Sequence, residues 1–346
     1  MLIEDVPPAL RANVVKVWGD PGRDWLAGLP HTLQTVAELW SLELTRSTYD
    51  LSFHWVAPAT TQDGGPAVLK LGVPGEAHLE REAAALRAYD GYGAARLLAR
   101  ASDHGALLIE RLRPGHNAAA MVPHADEDAT SAVTEVLSRL HEASPDGVAL
   151  PEVSALREDF QALLASPELP GPPRPLVERA LGLLDELCAD TARRCVVHGD
   201  LHHDNVLAAS RTPWLAIDPH GHLGDPGYDV GAMLFNPRIG ERDDQLLALV
   251  DARLEQLADE LAMAPERVVA WGFVKAVLSE VWSAGEGWQP TRALDVAELL
   301  AQRLARPRRA PRPTPPRSEL LVILSGDTDH QVRSRRGCAV GSGPCC

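Results

Sequence analysis

The chain has 346 residues, 45% of them hydrophobic, and a formal net charge of −15. It is long enough for two lobes with cores of their own and too apolar to be disordered throughout. The acidity argues against nonspecific nucleic-acid binding and fits a cationic small substrate, although solubility alone would account for it.

No apolar run approaches the ~18 residues of a membrane span, and Glu4 and Asp5 stand where a secretory leader would be basic. A cytoplasmic protein without a membrane partner is therefore expected. Residues 8–18 and 31–40 carry Leu10, Val14, Val15 and Trp18, then Leu33, Val36, Leu39 and Trp40, at helical spacing. They read as an N-terminal helical extension, with Trp25, Leu26 and Leu29 between them as packing anchors. From residue 41 the pattern turns to strands over 42–44, 51–56 and 67–71, with a turn over 60–66 that holds Gly64 and Gly65. The turn 46–50 has no glycine. Ser47 and Thr48 offer hydroxyls and amides there, either to a phosphate or to an ordinary hairpin.

Only three lysines, Lys16, Lys70 and Lys275, stand against thirty arginines. Each places a compact ammonium where the chain otherwise chooses a planar guanidinium. Lys70 lies in an apolar strand, either snorkelling from its end or kept for a purpose. The helix expected over 75–89 supplies a partner. Glu82 falls on or beside its Leu79, Ala83 and Leu86 stripe, where an unpaired carboxylate is costly. Strands over 95–99 and 106–110 follow, and the second runs into Arg111-Leu112-Arg113-Pro114-Gly115. That break is a hinge between lobes or a plain linker. As a hinge, its exposed backbone from Glu110 to Leu112 is placed to pair with adenine. Helices over 129–141, 153–164 and 176–187 come next, the last two separated by a proline-rich break at 167–173.

Cys195-Val196-Val197 reads as a short buried strand running into His198-Gly199-Asp200, with Asn205 five positions beyond the aspartate. Trp214 to Ile217 is a second such strand, ending in Asp218. ATP-dependent phosphoryl transfer needs this arrangement. Asp200 takes the proton of an attacking hydroxyl, while the Asn205 oxygen and Asp218 hold magnesium. Lys70, oriented by Glu82, then fits the strand lysine that positions the ATP phosphates. His198, His202 and His203 need no zinc to explain them. Asp225 before Pro226 is a candidate helix N-cap, and Asp229 a structural carboxylate tying the catalytic loop.

Helices over 243–262, 265–284 and 291–305 close the fold. The middle one is mostly a core stripe of Trp271, Phe273, Val274, Val277, Leu278 and Val281. Glu280, Trp282 and Glu286 near its end are candidates to cradle a cationic ligand by charge and cation–π contact. Residues 307–317 hold five prolines and four arginines in eleven positions, which excludes a packed helix. The five cysteines, at 188, 195, 338, 345 and 346, form no CxxC pair, so neither structural zinc nor a disulfide framework is expected.

The His198–Leu207 loop, Ala67–Leu71, Leu79–Ala83, Leu107–Leu112, Asp24–Pro30 and above all Trp214–Pro219 continuing to Gly224–Asp229 carry a resemblance. The chain is similar to the aminoglycoside phosphotransferases, in particular the streptomycin 6-kinase and hydroxyurea kinase branch. The resemblance spans about residues 15–306. It implies an α+β, protein-kinase-like fold with a small, mainly β N-lobe and a larger helical C-lobe. The division expected is 1–112 with the N-terminal extension and ATP site, 113–306 with the catalytic loop and acceptor site, and 307–346 as a disordered tail. It also implies ATP and Mg2+. By position, Asp200 is the base, Asn205 and Asp218 are metal ligands, and Lys70, Glu82, Ser47, Glu110 and Leu112 form the nucleotide site. The glycine-free turn at 46–50 departs from the family pattern, as does the tail.

The leading functional expectation is transfer of the γ-phosphoryl group to a hydroxyl of streptomycin, giving resistance. Hydroxyurea, a sugar or an amino alcohol is the alternative acceptor. A catalytically dead nucleotide-binding module is disfavoured because base, metal ligands and lysine are all present.

Overall fold

Gly19 decides the shape of the N-terminal extension. Segment α1 (Pro8–Leu39) is two helices that meet across a kink at this residue, whose φ of 57° and ψ of −125° are non-helical. Two helices with a connecting stretch were expected, but residues 24–30 continue the second helix. Pro21 falls in the first turn after the kink, where its missing N–H leaves no helical bond unmade. Trp25, Leu26 and Leu29 are buried with Leu33, Val36, Trp55 and Leu69, so they do anchor the extension. This computed structural model describes residues 6–46, 49, 51–191 and 193–305. Ser47, Thr48 and the Pro/Arg-rich tail, where a phosphate contact and disorder were expected, lie outside the described residues.

Strands β1 (Glu43–Leu44), β2 (Trp55–Thr60) and β3 (Pro66–Leu71) precede helix α2 (Ala77–Tyr89), and β4 (Leu97–Ala101) and β5 (Ala106–Glu110) follow it. They form a five-stranded antiparallel sheet in the order β1-β2-β3-β5-β4. The second strand starts at Trp55 rather than at 51. Phe53 stays exposed there, and His54 leaves the sheet to bond Glu76 Oε1 at 2.9 Å, at the N-terminus of α2. Period-two alternation divides β3. Ala67, Leu69 and Leu71 face α1, whereas Val68 and Lys70 face the cleft. Lys70 pairs in register with Leu107 of β5, which packs under α2 with Leu79 and Leu86.

After Arg113 the chain forms β6 (Pro114–Asn117), then α3 (Asp126–Leu140), α4 (Arg157–Leu164) and α5 (Arg174–Ala189). Strands β7 (Cys195–Val197), β8 (Val206–Ala209), β9 (Trp214–Ala216) and β10 (His222–Gly224) come next. They make two small antiparallel sheets, β6-β8-β9 and β10-β7. The 198–205 loop leaves one sheet for the other, and Asp218 lies on the return path. Helices α6 (Ala232–Phe235), α7 (Asp244–Ala248), α8 (Val250–Glu260), α9 (Pro265–Ser283) and α10 (Arg292–Ala305) complete the lobe. Helix α9 is apolar nearly all round and is packed among α4, α5, α8 and α10, as such a helix must be.

Asp225 is an N-cap: its Oδ1 accepts from Gly227 N at 2.7 Å and from Trp271 Nε1 of α9 at 3.0 Å. Among the described residues no helix is long and apolar enough to cross a bilayer. The result is the α+β, protein-kinase-like arrangement expected, a mostly β N-terminal part followed by a mainly helical C-terminal part.

Candidate active site

Three residues distant in sequence meet at the back of the interlobe cleft. Lys70 Nζ lies 2.6 Å from Glu82 Oε2 and 2.6 Å from Asp218 Oδ1. Lys70 and Glu82 are buried, while the Asp218 side chain stays 43% exposed and opens to the cleft. Burial works against the Lys70 ammonium, but the two carboxylates outweigh it and hold the proton above the usual lysine range. Burial, aided by the Asp218 charge, pushes Glu82 up to about 7 against the pull of Lys70. Burial would also raise Asp218, yet Lys70 holds that carboxyl well below its ordinary value. Asp218 has a φ of 59°, a left-handed conformation that an aspartate tolerates at some cost.

The cleft encloses about 530 Å3. Val56, Val68, Ile109, Leu112, Leu207 and Ile217 give it apolar walls, and Lys70, Glu82 and Asp218 a charged end. Apolar walls with a lysine at one end suit a ligand that has an apolar body and an anionic end. Glu110 and Leu112 line the same space. The Glu110 carboxylate is taken by Arg211 Nε at 2.9 Å and by Arg96 N at 3.0 Å. Among the described residues no hydrogen bond takes the Leu112 N–H.

Asp229 holds the 198–205 loop from beneath. It is fully buried, and its two oxygens accept from His198 N at 3.0 Å and Gly199 N at 2.7 Å. His141 Nε2 adds a third bond at 2.9 Å. The tying role expected of Asp229 is the role it has. His198 accepts from Asp200 N at Nδ1, 3.3 Å away, so its Nε2–H donates to Ile217 O at 2.9 Å and links the loop to the strand before Asp218. Asn205 donates its amide to Asp200 O at 3.0 Å, which leaves its own oxygen for a ligand. Three bases crowd the Asp200 carboxylate: His202 Nε2 at 3.6 Å, His220 Nε2 at 3.8 Å and Lys275 Nζ at 3.8 Å. Burial raises Asp200, but His202 and Lys275 outweigh it and keep the carboxylate ionised far below the usual range.

On the far side of Asp200, Trp282 is 44% exposed, with its Nε1 on Asp159 Oδ2 at 2.8 Å. Its ring lies 6.4 Å from that of His220, and Lys275 Nζ sits 4.7 Å over it. Glu286 is exposed in the loop after α9. The expectation for Glu280 needs correcting. This residue is fully buried, and its carboxylate is engaged inside the fold by Trp288 Nε1 at 3.1 Å and Thr291 N at 2.9 Å.

A row of imidazoles, His54, His78 and His220, also went unread in the sequence. Their rings lie 5.4 and 4.8 Å apart and run from the N-lobe to Asp200. The available signals were His78 four residues before Glu82 on one helix face and His220 two residues after Asp218.

Burial holds these three rings neutral, together with His198, His203 and His222. Their pKa values lie below the ordinary 6.5, at about 3 for His78 and His222 and about 4 for His220. His202 is the exception: burial lowers it, but Asp200 and Asp204 lift it to about 9. The depressed group has a clear sign. The unfolded chain takes up these protons as pH falls through 6.5 and the folded chain does not, so stability present at pH 7 is lost on acidification. Each histidine contributes up to about 1.4 kcal/mol per pH unit below its unfolded pKa. Urea midpoints are expected to fall between pH 7.5 and 5.5, because the six depressed histidines outnumber Glu82 and His202, whose raised values act in the opposite direction. Equal midpoints would refute the buried neutral set.

A family described as aminoglycoside/hydroxyurea antibiotic resistance kinase matches residues 46–287. A hydroxyurea phosphotransferase of Kitasatospora aureofaciens is 35% identical over 311 residues, 87% of this chain and 87% of that protein. A streptomycin 6-kinase of Streptomyces griseus is 32% identical over 312 residues, 87% of this chain and 97% of the other. Among solved structures, a choline/ethanolamine kinase family protein from Mesorhizobium loti superposes with a TM-score of 0.55 at 16% identity, covering 86% of this chain and 94% of that one. An aminoglycoside phosphotransferase from Streptomyces rimosus, solved with ADP and streptomycin, has a TM-score of 0.51 at 20% identity, covering 73% and 98%. At these identities the solved structures speak for the fold alone.

Proposed function

We propose that this chain, which belongs to the aminoglycoside/hydroxyurea antibiotic resistance kinase family and is a phosphotransferase, moves the γ-phosphoryl group of ATP to a hydroxyl of streptomycin, at its 6-position. The observation that carries the reading is the gathering of Lys70, Glu82 and Asp218 at the charged end of the cleft, with the Asp200 and Asp218 charges both acting on the His198 and His220 rings. Asp218 is bonded to Lys70 at 2.6 Å, whereas the Asp200 carboxylate faces protonated His202 at 3.6 Å and the Lys275 ammonium at 3.8 Å.

Asp200 accepts the proton of the attacking hydroxyl. Lys70, steadied by Glu82, orients the phosphates. The Glu110 to Leu112 backbone pairs with adenine between the apolar walls, and Ser47 would approach the phosphates from the first hairpin. Asp218 and the free Asn205 oxygen form an all-oxygen donor set, which fits a hard cation such as Mg2+. Bound there, Mg2+ supplies charge neutralisation on the phosphates. Trp282 and Glu286 border the acceptor side. The lobes divide near residue 112, and the work is done in the cytoplasm.

Two observations support streptomycin: relatives named streptomycin 6-kinase match over most of the chain, and a net charge of −15 suits a guanidinium-bearing acceptor. The match to a hydroxyurea phosphotransferase favours hydroxyurea as a second reading. The deciding experiment offers ATP and Mg2+ with streptomycin, hydroxyurea, choline or amino sugars and follows product mass. Streptomycin phosphate is the expected product. Turnover of hydroxyurea without streptomycin moves the assignment to the second reading, and transfer to neither rejects both.

A further inference from the structure

Lys275 lies in the middle of α9 at 1% exposure, among Trp271, Phe273, Val274 and Leu278. A buried ammonium costs several kcal/mol unless it is well partnered, and a methionine would fill the same volume without that cost. The fold makes room for the stem. A Cβ on Gly231 would come within 2.3 Å of Lys275 Cβ, and one on Gly227 within 2.2 Å of Trp271. Two glycines four apart thus face two large α9 residues four apart. The ammonium donates to Gly199 O at 2.5 Å and to Tyr228 Oη at 3.2 Å, and it stands over the Tyr228 and Trp282 rings at 4.8 and 4.7 Å. Asp200 Oδ1 is 3.8 Å away, too far for a hydrogen bond but close enough to feel the full charge.

We infer that Lys275 is a positioning residue for phosphoryl transfer: it clamps the Gly199 carbonyl and aims the Asp200 carboxylate between the loop and the Trp282 wall. The inference rests on Asp200 being the proton acceptor. Because the ammonium does not bond Asp200 directly, the carboxylate oxygens stay available to a hydroxyl. A guanidinium could not replace it, being broader and planar where the pocket holds one compact cation.

Two measurements test this, and only one needs the acceptor. In Lys275→Met, kcat is expected to fall tenfold or more per folded molecule, with KM for ATP within twofold of the parent. A folded variant with kcat within twofold overturns the inference. The second measurement uses the scarcity of lysine. Protein labelled at lysine Cε and Nζ gives three sets of NMR signals, identified with Lys16→Arg and Lys70→Arg. The Lys275 signal is expected upfield, under two aromatic faces, and is expected to move in Asp200→Asn while that of Lys16 does not. A Lys275 signal unmoved by Asp200→Asn overturns the inference even if Lys275→Met fails to fold. A parent that phosphorylates no acceptor counts against the proposed function, and the NMR result then decides the Lys275 coupling separately.

Discussion

Asp200→Asn is expected to lower turnover about 1,000-fold while ADP still binds and the protein still folds. The replacement is nearly isosteric, and the bonds that hold residue 200 in place are made by its backbone. Its N–H donates to His198 Nδ1, and its carbonyl accepts from Asn205 Nδ2. What changes is the charge of the side chain. A carboxylate kept ionised by His202 and Lys275 becomes an amide that cannot take a proton. The Lys70, Glu82 and Asp218 cluster, the proposed nucleotide end, lies on other elements and keeps its contacts. Single-turnover rates with saturating ATP, set beside calorimetric ADP affinity, test the two halves. A rate within tenfold of the parent would remove Asp200 from the role of base.

The contrast between Asp200 and Lys275 shows what the sequence could reveal. The 198–205 loop was legible because its pattern is local: His198, Asp200 and Asn205 follow one short strand and precede another, and Asp218 comes just after the next one. Lys70 and Glu82 were legible for a different reason. An ionised group on an apolar strand and another on an apolar helix stripe each demanded a partner, and each met the other at 2.6 Å.

Lys275 stood out as one of three lysines, but its partner Gly199 is 76 positions away and no pattern names it. The imidazole row draws on three separate segments and was invisible for the same reason. Glu280 shows the opposite failure. A carboxylate beside tryptophans looked like a ligand cradle, but the loop after α9 needed an acceptor for Trp288 and Thr291 and claimed it. Helix α1 was read as two helices with residues 24–30 between them, and it is two helices, but the break lies at Gly19 and residues 24–30 belong to the second.

Asp229→Ala should act on the fold before it acts on the chemistry, lowering stability by about 3–5 kcal/mol. The carboxylate is fully buried, and the truncation strands three donors at once: His198 N, Gly199 N and His141 Nε2. Burial raises this carboxyl, but the His141 bond, the neighbouring charges and the Gly199 amide outweigh it and hold the pKa below the ordinary value. Its contribution is therefore present at neutral pH and is lost only as pH falls through that depressed value. Asp229→Asn keeps one acceptor oxygen for the loop but turns an NH2 group towards the remaining donors, so it should recover part of the loss and not all of it. Urea unfolding at pH 7.5 separates this residue from Asp200. Asp229→Ala moves the midpoint and loses turnover together, because the loop amides that aim Asp200 have no acceptor. Asp200→Asn loses turnover with a smaller shift of the midpoint, because it removes the counter-charge of His202 and Lys275 but leaves the backbone bonds of the loop made. An Asp229→Ala protein with the parent's midpoint would mean that the His198-Gly199-Asp200 turn is held by its strands alone, and the buried carboxylate would then need another explanation.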